Sequence, residues 1–150
     1  SDVYKRQALK PLKEYDLIVI DTPPTLGTLL VNSLTAAHEV IIPLQADTFA
    51  LQSIYQLADT IKQVQQYCNP GLTIRGALLT KYSPRTVLAR DLRDTIAEKC
   101  AELGIPMLTT AIREGVAVKE AQTMRENLFD YAPRSNPAKD YEALLNELEV

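Results

Sequence analysis

The sequence predicts an α/β protein in three layers, with a mostly parallel, doubly wound sheet between helices. Two observations predict this fold class. Short apolar runs of strand length alternate with longer stretches whose apolar residues recur at helical spacing. The short runs are also nearly continuous in apolar residues, which is typical of parallel strands covered on both faces. With 150 residues, 46% hydrophobic and 23% charged, the chain is long enough for one domain with a sizeable core.

The first part of the chain predicts two strands joined by a helix. Residues 16–20 form a continuous apolar run and predict the first strand. Residues 26–37 carry apolar side chains at helical spacing, and residues 39–43 predict a second buried strand. A strand, a helix and a strand in this order predict a parallel unit with a right-handed crossover.

The middle of the chain predicts a long helix and a third strand. Residues 48–67 form an amphipathic pattern, with Thr48 in the position of the N-cap. The turn sequence NPG at residues 69–71 ends this helix. Residues 72–80 then predict the third strand, since they are apolar and rich in β-formers.

The last part of the chain predicts three helices and a short strand. Residues 86–103 predict a helix that Gly104 ends. Residues 106–109 predict a weak fourth strand, and residues 116–125 a short helix. The sequence SNP at residues 135–137 predicts the capped start of a terminal helix through Leu148.

The first predicted strand ends in a carboxylate, Asp21. Ligands of open parallel sheets bind at the carboxyl ends of strands. A carboxylate buried at that place is unfavourable unless it is paired or bound to a metal. Hydrated Mg²⁺ beside nucleotide phosphates would satisfy it, because Mg²⁺ binds few protein carboxylates and keeps several waters. A helix N-cap or a solvated strand end is the alternative that a single acid leaves open.

Two prolines, Pro23 and Pro24, predict a stiff loop after Asp21. Each proline fixes φ, lacks an amide hydrogen and biases the preceding residue toward extended backbone. The loop runs to Gly27, where a glycine allows an unusual φ or a close approach of the backbone to a phosphate or a partner. A stiff loop beside a metal-binding acid is suited to sensing a γ-phosphate.

The charge distribution allows a local basic face. The net charge is −3, which does not favour a protein whose whole surface attracts nucleic acid. Ten of the sixteen Lys and Arg residues lie between Arg75 and Arg134, together with eight acids. The alternative interpretation of this segment is a set of solvated helix faces.

Four blocks of sequence in this order give the chain a resemblance to a known family. They are YDLIVIDTPPTLG, VIIPLQADTFALQSI, GALLTKYSPRT and LFDYAPRSNPAKDYEALLNEL. The chain resembles the ParA/Soj partition ATPases, which are deviant Walker P-loop NTPases related to MinD, over residues 15–148. The resemblance implies a P-loop NTPase-like fold. We interpret residues 1–7 as a non-native lead-in and residues 8–150 as the C-terminal portion of a single ParA-type domain.

The resemblance implies a nucleotide site that uses ATP and Mg²⁺. It makes Asp21 the catalytic Walker B acid, which orders Mg²⁺ through water, and places residues 22–27 in the second switch loop. The implied nucleotide-binding residues are Asp21, Thr22, Pro23, Gly27, Lys81, Tyr82 and Ile112. Anchoring of the surrounding loops is the alternative role for the last three.

The family binds DNA without sequence specificity when its ATP-bound homodimer forms, and it works with a ParB-like partner. The resemblance therefore implies a cytoplasmic, nucleoid-associated protein without a membrane partner. The implied DNA-binding residues are Arg85, Arg113, Lys119, Arg125 and Arg134. The family has IPRNVR where this chain has AIREGV. When the isoleucines are aligned, the basic residue, Arg113, is displaced by one position. A surface role or a local ion pair is the alternative for each of these side chains.

The family's glycine-rich phosphate loop, KGGxGKT, has no counterpart in this sequence. The five glycines are residues 27, 71, 76, 104 and 115, and none precedes a lysine. Such a loop cradles phosphates with its backbone amides. We therefore expect an N-terminally truncated domain that by itself does not bind or hydrolyse ATP. We also expect its sheet to lack strands and to expose apolar surface.

Other functions are weighed against this one. A MinD-like protein would end in a basic amphipathic membrane helix, whereas this terminal helix is acidic. Bacterial tyrosine kinases share the DTPP element but end in a tyrosine cluster, which Tyr131 and Tyr141 do not make. Nitrogenase-type reductases need cluster cysteines near the switch, and Cys68 and Cys100 are far from it in sequence. The alternative that the chain is a degenerate, non-enzymatic binding module of the same fold stays open.

Overall fold

The computed structural model describes residues 11–12, 14–23 and 25–150 of the chain. From residue 28 onward the helices and strands follow in the predicted order, with one additional short helix. The elements are α1 (Thr28–Ala36), β1 (Glu39–Gln45), α2 (Thr48–Tyr67), β2 (Thr73–Tyr82), α3 (Val87–Glu102), β3 (Met107–Arg113), α4 (Val116–Met124), α5 (Leu128–Tyr131) and α6 (Asn136–Leu148). The strands β2 and β3 extend beyond their predicted ends, and the four-residue helix α5 was not predicted.

The three strands form one sheet in the order β1-β2-β3. Strands β2 and β3 are parallel, and the helix α3 connects them. A helix between parallel neighbours is the connection that such pairs require, because a tight turn can only reverse the chain. The predicted α/β class with a parallel sheet is confirmed.

The predicted strand over residues 16–20 is wrong. This run carries no strand, and its side chains are accessible, with Leu17 59% exposed and Val19 82% exposed. A strand forms where its backbone N–H and C=O groups pair with a neighbour. The described residues pair only β1, β2 and β3 with one another, so an apolar sequence alone did not bring this run into their sheet.

The described chain divides into two compact units. The first contains residues up to Val40 together with Ser53–Arg75. Its core includes an apolar stripe of α2, with Ile54, Ala58, Ile61 and Val64 buried at helical spacing. The polar side chain of Asn69 lies beside this stripe in sequence and is buried as well.

Asn69 ties the end of α1 to the turn after α2. Its Nδ2 donates to the carbonyl oxygens of Leu34 (3.0 Å) and Ala37 (2.7 Å). The last carbonyls of a helix have no partner within the helix, so a side-chain donor that reaches them stabilises the helix end. The turn NPG therefore does more than end α2, since its asparagine also caps a second helix.

The second unit comprises Ile41–Gln52 and Gly76–Val150, and it contains most of the sheet. Its core cluster joins Leu78 of β2, Ile112 of β3 and Leu144 of α6, with Leu108 and Leu148 packed against them. The strands β2 and β3 approach closely at Gly76, where an added Cβ would lie 2.9 Å from Leu108 Cγ. Only a glycine fits at this position.

Helix starts and ends follow the predicted signals with one exception. The side chains of Thr86 and Ser135 accept hydrogen bonds from the amides of Ala89 and Ala138 and so cap α3 and α6. At α2 the N-cap is Asp47, whose carboxylate accepts from the Ala50 amide at 2.8 Å. The prediction of Thr48 as that N-cap was wrong by one residue, because the helix begins at Thr48 itself.

Candidate functional site

The first candidate group is the loop that carries Asp21 and leads into α1. Asp21 and Pro23 are exposed, Thr22 is half-buried, and none of them lies in a helix or strand. Pro24 lies outside the described residues. Asp21 forms no hydrogen bond or ion pair with any residue that the structure describes. Its carboxylate is therefore accessible to a ligand.

This arrangement fits one mode of Mg²⁺ binding. No group of three or more His, Cys, Asp or Glu side chains in the described part of the chain could enclose a metal ion. Mg²⁺ nevertheless binds well through one carboxylate when water and substrate phosphates complete its octahedron. One accessible carboxylate such as that of Asp21 is compatible with this mode, in which it would hold Mg²⁺ through water.

Gly27 does not need the unusual backbone that the sequence suggested. Its φ is −137° and its ψ is −175°, an extended conformation that any residue adopts. An added Cβ would meet nothing within 4 Å among the described neighbours. Gly27 is the N-cap residue of α1 without a side-chain cap, so this position leaves open space at the start of a helix. Close approach of a ligand to this backbone stays a prediction.

The second candidate group lies at the carboxyl ends of β2 and β3, where Tyr82 is the Cα partner of Arg113. Between Leu79 and Tyr82, β2 advances by three residues, while β3 advances by two from Ala111 to Arg113. At this irregularity Lys81 has a left-handed φ of 50°, which is uncommon for a residue with a side chain. The irregularity leaves Lys81 exposed at the strand end and Tyr82 buried.

Ile112 lies in the core rather than at the surface. It is 4% exposed and contacts the cluster of Leu78 and Leu144. Full burial of an isoleucine side chain stabilises a fold by about 1.5–3 kcal/mol. Packing alone therefore explains an isoleucine at this position, without a contact to a ligand. Its role in nucleotide binding stays a prediction that the surrounding backbone would have to fulfil.

The predicted DNA-binding side chains differ in their surroundings. Arg85 is exposed in the turn before α3, and Arg125 and Arg134 are exposed as well. Arg125 is the C-cap of α4 in a left-handed conformation. Lys119 lies 3.8 Å from Glu114 in an exposed ion pair, a kind of pair that contributes little to stability.

Arg113 is held by a carboxylate that the sequence did not point out. Its Nη2 lies 2.6 Å from Asp140 Oδ1, its Nε lies 2.9 Å from Oδ2, and its backbone amide also donates to Oδ2 at 2.9 Å. The hydrogen bond to Asp140 raises the pKa of Arg113. Partial burial favours a higher pKa for Asp140, but the bonds from Arg113 outweigh it and lower that pKa.

Sequence reasoning missed Asp140 and Glu147 because both looked like polar residues of a solvated terminal helix. Their spacing was the available signal. They stand seven residues apart, so both lie on the face of α6 that also carries Leu144. A carboxylate on the apolar face of a helix indicates a specific partner, since burial without one is unfavourable.

Comparisons with known proteins identify relatives of this chain by sequence and by structure. A family model described as an AAA domain matches residues 2–74. The chain is 36% identical over 148 residues to the chromosome-partitioning ATPase Soj of Treponema pallidum, and 35% identical over 148 residues to the sporulation initiation inhibitor protein Soj of Bacillus subtilis. Each match covers 98% of this chain and 57% of the relative. The chain thus spans little more than half the length of these relatives.

A solved structure gives the same result for the fold. The cobyrinic acid a,c-diamide synthase of Mycobacterium smegmatis, determined with a bound ATP analog and magnesium, superposes with a TM-score of 0.76 at 34% identity. The superposition covers 99% of this chain and 54% of that one. That protein binds a nucleotide and magnesium on a fold that this chain shares in part.

Proposed function

Since this chain belongs to the ParA/Soj family, we propose that it forms the switch and DNA-binding part of a partition ATPase. The complete protein acts as an ATP-gated homodimer on non-specific DNA, with a ParB-like partner, on the nucleoid in the cytoplasm. The observation that carries the proposal is the 36% identity to a chromosome-partitioning ATPase across 98% of the chain. The accessible carboxylate of Asp21 supports it.

Asp21 is proposed as the acid that orders Mg²⁺ through water. In phosphoryl transfer the metal neutralises charge on the transferred phosphoryl group, so the protein contributes mainly position and electrostatics. Asp21 would hold the hydrated ion. The loop from Thr22 to Gly27 would change conformation according to whether a γ-phosphate is bound. The proline at position 23 limits how far that loop bends, because its φ is fixed.

The chain is proposed to contact DNA through phosphates alone. Non-specific binding needs cations directed at phosphates and no pattern of donors and acceptors for bases. Arg85 is the strongest candidate, because it is exposed and forms no ion pair with a described residue. Arg113 is the weakest, because Asp140 already accepts two bonds from its guanidinium.

The 150 residues by themselves are proposed to lack ATP binding, because their sequence contains no glycine-rich loop followed by lysine. Backbone amides of such a loop provide most of the contacts to the phosphates. Asp21 alone would add one water-mediated contact to Mg²⁺. The complete activity therefore requires a polypeptide that supplies the loop.

A chimera tests the proposal. The part of the T. pallidum Soj protein that this chain does not match would be joined to the 150 residues, and ATP hydrolysis would be measured with and without Mg²⁺. We expect Mg²⁺-dependent hydrolysis by the chimera, loss of at least about tenfold in Asp21→Asn, and no ATP binding by the 150 residues alone. The matched control is Asp16→Asn, which changes an exposed acid of the same segment.

Two results would contradict the proposal. Micromolar ATP binding by the 150 residues alone would disprove the need for a separate phosphate loop. A folded chimera without hydrolysis, or one in which Asp21→Asn stays fully active, would favour the degenerate binding module.

A further inference from the structure

The outer side of β3 is covered by a helix and not by a strand. Strand β3 pairs with β2 on one side and is the last strand of the sheet that the described residues form. Last strands present unpaired N–H and C=O groups, which are a template for pairing with another chain. Here the amides of Thr109, Thr110 and Arg113 are bound instead by side chains of α6.

An irregularity of β3 turns two consecutive amides toward the helix. Between Ala77 and Leu79, β2 advances by two residues, while β3 advances by four from Met107 to Ala111. In a regular strand neighbouring amides point to opposite sides, whereas extra residues in one strand break that alternation. The amides of Thr109 and Thr110 consequently both donate to α6.

Glu147 accepts these two amides with its two different oxygens. Its Oε1 lies 2.7 Å from Thr109 N and 2.8 Å from Thr109 Oγ1, and its Oε2 lies 2.9 Å from Thr110 N. Hydrogen bonds to an ionised acceptor are about twice as strong as neutral ones. One carboxylate therefore satisfies two neighbouring donors of the strand, together with a hydroxyl.

Asp140 performs the same task two helical turns earlier. Its Oδ2 lies 2.9 Å from the Arg113 amide, while the guanidinium of Arg113 binds the remaining side of the carboxylate. Leu144 lies between the two acids on the helix and packs on Leu78 and Ile112. The helix thus has an apolar contact at its centre and a carboxylate bound to strand amides on either side.

We propose that α6 is an edge cap of this sheet, in which Asp140 and Glu147 occupy the outward amides of β3 and so block the addition of a strand from a second copy of the chain. A strand that paired there would have to displace both carboxylates from three amides. The cap thus leaves β3 unavailable for association.

Amide hydrogen exchange combined with sedimentation tests the cap on the 150-residue chain. In the double variant Asp140→Ala/Glu147→Ala we expect exchange at Thr109, Thr110 and Arg113 to rise by at least about tenfold, since each amide loses a charge-assisted bond. Exchange at Leu78 and Leu79 of β2 should change little. We also expect stronger concentration-dependent association than that of the wild type at the same concentration.

The control is Glu142→Ala, which removes an exposed glutamate of the same helix and should change neither measurement. If the double variant does not fold, Glu147→Gln replaces it, because glutamine keeps one acceptor. That variant should raise exchange at Thr109 and Thr110 more than at Arg113. Unchanged exchange, or faster exchange with no more association than the wild type shows, would overturn the edge cap.

Discussion

Gly76 shows how a single residue decides the approach of two strands. Its position in β2 leaves no room for a side chain beside Leu108, and the Pro106 carbonyl oxygen would lie 3.1 Å from an added Cβ. The sequence offered Gly76 only as one glycine among five. Its role could not be predicted, because the side chain it makes room for is 32 positions further along the chain.

We predict that Gly76→Ala destabilises the chain by about 1–3 kcal/mol, because the added methyl group overlaps Leu108 and forces a shift of the strands. Urea unfolding measured by circular dichroism would give this value. Gly71→Ala is the matched control, since its added Cβ would make only an ordinary contact of 3.8 Å with Asn69. Equal stability of the two variants would show that β3 can move away at little cost.

Asn69 is a second residue whose structural role could be recognised only from the tertiary structure. The turn sequence around it predicted the end of α2, which is confirmed, but not the bonds to α1 across 32 and 35 positions. We predict that Asn69→Ala costs about 1–3 kcal/mol, because it leaves one buried and one partly buried carbonyl oxygen without their donor. Thermal unfolding of this variant beside Asn127→Ala, which changes an exposed helix cap, would test it. A smaller loss at Asn69 than at Asn127 would contradict the role of the buried bonds.

At the scale of elements, caps and periodicity were predicted well and ion pairs were not. Helix α2 has the predicted bounds, and Ser135 and Gly104 stand where the sequence placed a start and an end. These signals act within a few residues. The contacts of α6 with β3 join residues 27 to 38 positions apart, so no local pattern could reveal them.

The carboxylate of Glu147 gives α6 a predictable response to acid. Partial burial pushes its pKa up, but the hydrogen bonds from Thr110 and Thr109 outweigh this and bring the pKa from 4.5 down to about 2. A depressed pKa stabilises the fold above the ordinary value. This contribution is present above pH 4.5 and is lost as the pH falls toward about 2.

We predict that Glu147→Gln flattens the dependence of the unfolding free energy on pH below about pH 4.5, because the variant has no proton to take up at this position. Urea midpoints measured in steps of pH would show it. Some dependence should remain, since the pKa of Asp140 is also lowered. Glu142→Gln should behave like the wild type. A slope in Glu147→Gln as steep as in the wild type would show that Glu147 contributes nothing in acid.

At the scale of the whole molecule, the described chain exposes apolar residues that the sequence placed in a strand. Besides Leu17 and Val19, Leu26 and Leu29 are exposed in the same part of the chain. These residues lie outside the sheet, so the exposed apolar surface that the sequence predicted for the sheet itself stays a prediction. Exposed apolar groups of this kind favour association in water. No helix in the described residues is long and apolar enough to span a bilayer.

We predict that Leu17→Lys/Val19→Lys reduces concentration-dependent association of the 150-residue chain and changes its unfolding free energy by less than about 0.5 kcal/mol, because exposed side chains contribute little to stability. Sedimentation velocity at several concentrations measures the first effect. Val87→Lys, at another exposed valine, is the control and should leave association unchanged. Association that persists in the double variant would show that the chain associates through a surface other than Leu17 and Val19.

The proposed DNA binding belongs to the same scale, because it would depend on the summed cations of the proposed dimer. In the chimera with Soj we predict that Arg85→Ala lowers the slope of log affinity against log salt by about one, as removal of one phosphate contact does. Arg113→Ala should change the slope less, since Asp140 holds its guanidinium. Titrations at several salt concentrations decide this. An equal loss in both variants would show that Arg113 leaves Asp140 when DNA binds.

The sequence by itself determined most of the order of helices and strands from residue 28 onward, most helix caps and the resemblance to the family, because periodicity, capping residues and motifs act over short distances along the chain. Only the tertiary structure decided which apolar run pairs into the sheet, that Ile112 is a core residue, and that Arg113 and the β3 amides are bound by α6. Each of these depends on which distant groups come within hydrogen-bonding or van der Waals distance. That selection is made when the whole sheet and its helices pack, and no single segment encodes it.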